Sequence, residues 1–176
     1  MDNFHDMLVK RHSIRKYTDE DINPDDVKTI LEAALLAPTS KNGRPWQFTV
    51  VDDKEKLEVL SHLKPMYATS VARCALAIVV SADPVKSEAW IEDASIAATF
   101  IQLQAEALGL GSCWVQVRGR QANEEIDSSN YIKDLLNIDG TEQVLCVITI
   151  GHKAEERKPA NLEKLLWERV HIGEWK

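Results

Sequence analysis

The most chemically suggestive residues of the chain lie in two stretches, Arg11-His12-Ser13-Ile14-Arg15-Lys16 and Pro38-Thr39-Ser40-Lys41-Asn42-Gly43-Arg44-Pro45. Side chains alternate along an extended backbone, so an extended first stretch puts Arg11, Ser13 and Arg15 on one side. Two guanidinium groups and a hydroxyl on one face suit an anion; a solvated positive turn is the plainer alternative. The second stretch is dense in short hydrogen-bonding side chains, a composition shared by ligand loops and by loops that bind nothing. Other chemistries lack their residues. Gly109-Leu110-Gly111 follows a helical pattern and has no third glycine, so it indicates neither a Rossmann site nor a P-loop. No His-Glu-x-x-His, calcium loop or Gly-x-Ser-x-Gly elbow occurs. The five histidines, His5, His12, His62, His152 and His171, are dispersed, with no recognisable nucleophile or metal partner nearby. If the chain is an enzyme, its reactive atoms belong to a cofactor.

The element that must organise these stretches runs from Asp93 to Trp114. Ala94, Ala97, Ala98, Ile101, Ala105 and Leu108 recur at helical spacing, and Ile96, Phe100, Leu103 and Ala107 form a second stripe beside them. A helix apolar on two faces is buried on both, and its alanines admit a close neighbour from the same chain or from a second copy. Gly109 supplies a left-handed stop, and Ser112 to Val117 reads as a buried strand.

The remaining elements follow from local signals. Asp2 to Lys10 is a short helix by its Phe4, Met7 and Leu8. Asn23-Pro24 starts a helix whose apolar stripe is Val27, Ile30, Leu31, Ala34 and Leu35, and Ala37-Pro38 ends it. Trp46 to Val51, Ala75 to Ser81 and Gln143 to Ile150 read as strands. Asp53 to Leu63 reads as an amphipathic helix, Lys64 to Tyr67 as a turn or short helix, and Glu124 to Leu136 as a weak helix. From Asn161 onward, Leu162, Leu165, Leu166, Trp167, Val170, Ile172 and Trp175 put a large apolar surface on a terminal segment. That segment wraps its own domain or embraces a partner.

With 176 residues, 44% apolar and 28% charged, the chain suits one domain spanning residues 1–176. A formal charge of −7 disfavours general binding to nucleic acid or anionic membrane while leaving room for a local basic pocket. Cys74, Cys113 and Cys146 form no CxxC pair and read as small core residues in a reducing cytosol. The N-terminus has no signal-like run and no segment is apolar enough to span a bilayer, so a cytoplasmic protein is expected.

Four blocks in order, Arg11 to Arg15, Ala37 to Trp46, Ala107 to Trp114 and Ile150-Gly151-His152, resemble the FMN-dependent nitroreductase family over almost the whole chain. The resemblance implies an α+β fold, a central mostly antiparallel sheet flanked by helices, in an interlocked homodimer with two FMN molecules at its interface. The C-terminal segment, about residues 160–176, would pack on the partner subunit. By the same resemblance Arg11, in the Arg11-His12-Ser13 block and helped by Ser13, binds the phosphate, and Arg15 faces the pyrimidine end of the flavin. Pro38, Thr39, Ser40 and Asn42 would reach the FMN of the other subunit, and Leu110, Gly111 and Ser112 would lie by the isoalloxazine edge, with the glycine leaving room. Arg157 and Lys158 would close the phosphate site. The implied activity is ping-pong transfer of hydride from NADH or NADPH, through FMN, to a nitroaromatic or quinone; the alternative is an FMN-binding or redox-sensing module without nicotinamide turnover. The chain departs from the family at Arg44, where Gln often precedes the Pro-Trp pair. Lys64 is a candidate for the mid-chain flavin contact of larger members that the sequence does not single out.

Overall fold

The computed structural model describes residues 3–66, 68–138 and 140–175. Four strands, β1 (Trp46–Val51), β2 (Leu76–Ala82), β3 (Gly111–Gln116) and β4 (Gln143–Gly151), form one antiparallel sheet in the order β1-β2-β4-β3. The two central strands are apolar on both faces because helices cover both. Leu76, Ile78 and Val80 of β2 face a core shared with α2 (Pro24–Leu35) and α5 (Trp90–Ala107). Ala77 and Val79 face the opposite core, filled from α3 (Lys54–Leu60), α4 (Thr69–Arg73) and α6 (Ser128–Leu136). Each fully buried Ile or Val there contributes about 1.5–3 kcal/mol, which fixes the strand register. The fold is α+β, as expected.

α5 crosses one face of the sheet. Its Ala94, Ala97, Ala98, Ile101 and Ala105 are fully buried, and the small side chains let α2 pack alongside. The second stripe departs from expectation. Phe100 and Leu103 are only half-buried, and Ile96 and Ala107 are exposed, because no other element of this chain lies over them. The helix ends as Gly109 adopts φ 78° and the Leu110 N–H reaches back to the Ala105 carbonyl at 2.9 Å, the left-handed stop that a glycine permits.

Three local differences have physical causes. α6 begins at Ser128, not Glu124, because the Asn123 side chain accepts from the Glu125 and Ile126 N–H groups in a turn, and Asp127 then caps the helix at Asn130. After a 3-10 turn at Ser61–Leu63, residues 64–66 bend without forming a helix, while Tyr67 lies outside the described residues. The short α4 follows, where no helix is expected. α1 spans Phe4–Lys10 under an Asn3 cap, and Asp2 lies outside the described residues. The thiols of Cys74, Cys113 and Cys146 are free and buried.

After β4 the chain is tied to α1 at Ala160, whose N–H bonds the Val9 carbonyl. Beyond that point its apolar residues lie open in the single chain, Ile172 at 92% exposure and Trp175 at 86%. No helix among the described residues is long and apolar enough to cross a membrane.

Candidate functional site

The Arg11–Arg15 segment runs extended along the free edge of β3. Ser13 pairs with Ser112 in a parallel bridge, and the Ile14 N–H donates to the Ser112 carbonyl at 2.9 Å. The strand then continues past the end of β4, where Tyr17 bridges Lys153 and the Thr18 N–H bonds the His152 carbonyl. Ile14 is buried, and the alternation expected of an extended chain follows. Tyr17 locks the segment: its hydroxyl donates to the Ile14 carbonyl at 2.6 Å and pairs with Thr149 Oγ1 at 2.8 Å. Burial raises the Tyr17 phenol far above its ordinary value, so it stays neutral.

The even-numbered side of the segment, Lys10, His12 and Ile14, lines a cavity of about 740 Å³ closed from the other side by Glu106, Lys153, Glu155 and Arg157. Lys153 pairs with Glu106 at 2.8 Å. Glu155 joins the two strands of the wall, accepting from the Arg15 N–H at 2.9 Å and from Arg157 Nη2 at 3.0 Å. The Arg15 N–H holds its carboxyl below the usual carboxylate range; burial opposes this and Arg157 assists. His12 Nε2 is buried in this wall without a hydrogen-bond partner, an orphan of the kind a ligand satisfies.

The odd-numbered side meets Cys113 of β3. Burial raises that thiol, while the Arg15 guanidinium, a Ser13 hydrogen bond and the Lys64 ammonium pull it down. Ser13 and Arg15 thus act on the Cys113 thiol, and so does Lys64, 49 residues from Arg15 in the chain. The Arg11 side chain makes no ion pair or hydrogen bond among the described residues, and Lys158 is exposed.

The second loop is elsewhere. Ser40–Asn42 forms a 3-10 turn, with Lys41, Asn42 and Arg44 at φ 52°, 55° and 45°, a left-handed conformation uncommon for such residues. Its anchor is Asp93, 2% exposed, whose carboxylate accepts from the Ser40 N–H at 2.7 Å and from Ser87 Oγ at 3.1 Å. Within the loop Thr39 Oγ1 accepts from the Arg44 N–H and Asn42 Oδ1 from Arg44 Nε, both at 3.1 Å. Asp93 stands near the start of α5 and Glu106 at its end. Thirteen residues at the helical rise separate them by about 20 Å, so one chain does not bring this loop to the cavity.

A model of the Nitroreductase family matches residues 8–78 and 60–152. The chain belongs to the nitroreductase family. A solved FMN-dependent nitroreductase from Clostridium difficile R20291 is 46% identical and superposes with a TM-score of 0.95 over 97% of this chain and 99% of its own. A relative named "Putative NADH dehydrogenase/NAD(P)H nitroreductase" from Archaeoglobus fulgidus is 33% identical over 96% of this chain and 97% of its own length. One of the same description from Methanothermobacter thermautotrophicus is 33% identical over 96% and 85%.

Within this nitroreductase the expected site residues fall into two groups. His12 and Arg157 line the cavity at the β3 edge, Ser13 bridges Ser112 beside it, and Arg11 and Arg15 belong to the same extended segment. Pro38, Thr39, Ser40 and Asn42 sit at the other end of α5. Leu110 places its side chain in the core and its N–H on Ala105. At Gly111 a Cβ would lie 2.8 Å from Ile14 Cβ and Cγ2 and 3.0 Å from Lys153 Cγ, so the packing of the protein itself already requires a glycine here. Glu155 and Asp93 are positioning groups that sequence reasoning missed. Asp93 had a signal in being one of the few charges on an otherwise apolar helix, whereas Glu155 lies in a charged run with nothing to distinguish it.

Proposed function

We propose that this nitroreductase is an FMN-dependent oxidoreductase that passes hydride from NADH or NADPH to a small acceptor such as a nitroaromatic or quinone, by a ping-pong mechanism in a homodimer. The observation that carries the reading is the cavity along the free edge of β3, lined by Lys10, His12, Lys153 and Arg157, in a chain of net charge −7. A local cationic face in an acidic protein suits a phosphate-bearing cofactor, and the unpartnered His12 Nε2 fits the same site. The relatives' names support the choice of FMN and of a nicotinamide donor.

Bound FMN would supply the two-electron chemistry that no side chain here provides. Arg11 and Ser13, with Arg157 and Lys158 from the far side, would hold its phosphate. Arg15, with Lys64, would set positive charge at the ring end, where a fixed cation favours the negative charge that reduction places on a flavin. Glu155 ties the Arg15 backbone to the Arg157 guanidinium. The loop of Pro38, Thr39, Ser40 and Asn42 would complete the site of a second copy, which the separation along α5 requires if the loop binds at all. The open stripe of α5 and the C-terminal segment from about residue 160 supply apolar surface for that copy. Substrates alternate on one stacking face, and the protein's part is orientation and exclusion of water.

The visible spectrum of the FMN-reconstituted protein under anaerobic NADH, and separately NADPH, tests the reading. Bleaching of bound flavin within seconds is expected. Bound flavin that stays oxidised with both donors would favour a binding or sensing module instead.

A further inference from the structure

We propose that Arg120 and Lys64 form an anion subsite beside the cofactor's ring end, taking the carboxylate, sulfonate or phosphate of the molecule that exchanges electrons there. The inference rests on the flavin-site reading above and adds a charge requirement for the exchanging molecule. The two cations line a separate cavity of about 370 Å³ with Pro65, Met66 and Gln121. Its floor is fixed: the Arg120 N–H bonds the Val117 carbonyl and the Arg120 carbonyl accepts from Ser128, both at 2.9 Å, just after Gly119 turns the chain with φ 71°. The end of β3 thus presents Arg120 at the cavity mouth.

Lys41, Lys86, Lys153 and Arg157 each have a carboxylate within 4 Å. Neither Lys64 nor Arg120 has such a partner among the described residues. Burial and the Arg120 guanidinium both disfavour the charge on Lys64, and no carboxylate offsets them. Two like charges converging on one cavity are relieved by an incoming anion. Pro65 and Met66 add an apolar wall, so an aromatic body with an anionic substituent matches the lining. On the flavin-site reading above, Lys64 is the residue common to the ring end and this cavity.

The anion has two sources, an acidic group on the acceptor or the phosphates of the dinucleotide. Calorimetric titration of the FMN-loaded protein with benzoate, benzamide and ADP-ribose separates them, using the natural chain, R120Q and R120E. Arg120 is exposed, so the substitutions leave the fold intact. Benzoate is expected to bind at least about fivefold more tightly than benzamide, the effect of one opposite charge at about 4 Å in water. R120Q should abolish that preference and R120E should exclude benzoate. If ADP-ribose alone weakens in both variants, the anion belongs to the dinucleotide. Equal affinities across the three proteins for both anions would overturn the subsite. A sample without flavin absorbance refutes the flavin reading instead, and the titrations then test the cation pair by itself.

Discussion

Replacing Asp93 with Ala tests how the second loop is held. The carboxylate accepts from the Ser40 N–H at 2.7 Å and from Ser87 Oγ at 3.1 Å while almost wholly buried. Hydrogen bonds to a charged acceptor contribute about 1.5–3 kcal/mol, and the orphaned Ser40 donor adds its own desolvation cost. Removing a buried carboxylate recovers part of its burial penalty. A net loss of about 2–3 kcal/mol remains, which at a urea m-value of about 2 kcal/mol/M lowers the midpoint by about 1–1.5 M. Asp93→Asn keeps an acceptor for Ser40 and offers Ser87 a donor, so it should cost under about 1 kcal/mol. Urea unfolding at one fixed protein concentration measures both, and hydrogen exchange at the Ser40 amide locates the effect. Midpoints for Ala and Asn that agree within error, with unchanged Ser40 protection, would refute the anchor. The left-handed Lys41, Asn42 and Arg44 make the loop a strained conformation, and such conformations persist only where the surroundings enforce them.

Three further outcomes follow from the site. Gly111→Ala forces a Cβ to within 2.8 Å of buried Ile14, so a loss of about 1–3 kcal/mol is expected, read as a fall in thermal midpoint; an unchanged midpoint contradicts the packing described. Arg11→Ala should weaken FMN binding about 10- to 100-fold by removing a charge-assisted phosphate contact, measured by flavin fluorescence, and unchanged affinity would sink the assignment. Glu155 is held below its unfolded value, so its contribution is present above the ordinary carboxylate pKa and is lost as pH falls through the folded one. Glu155→Gln should therefore flatten the decline in stability on acidification below about pH 4.5, while leaving the slope near neutral pH unchanged.

Much of this fold was legible because its strands are buried on both faces. Leu76 to Ala82 and Gln143 to Gly151 are continuous apolar runs, and only a covered strand has that pattern. Asn23-Pro24 announced its helix by cap chemistry, and Gly109 announced the end of α5. The second stripe of α5 shows the limit. Its apolar period says that the face is covered without saying which copy covers it, and the single chain leaves Ile96 exposed. α4 is a single turn, too short for a period to register. That Ser13 and Arg15 share a side follows from alternation along an extended strand, whereas the position of Lys64 depends on the tertiary path of residues 61–66. At Gly111 the sequence suggests room for a ring, and the close approach of Ile14 is a second reason for the glycine that only the tertiary structure reveals.

The central claim is that each site is built from two copies of the chain. The most direct test mixes an Arg11→Ala chain with an Asp93→Ala chain, unfolds and refolds them together, and counts bound flavin. Each variant alone should retain little FMN, one lacking the phosphate contact and the other the anchored loop. In a two-fold dimer a mixed pair carries one site with both defects and one with neither, so random pairing restores about a quarter of the sites. Flavin binding that returns to that level supports a shared site. Binding in the mixture no greater than the average of the two variants would contradict it.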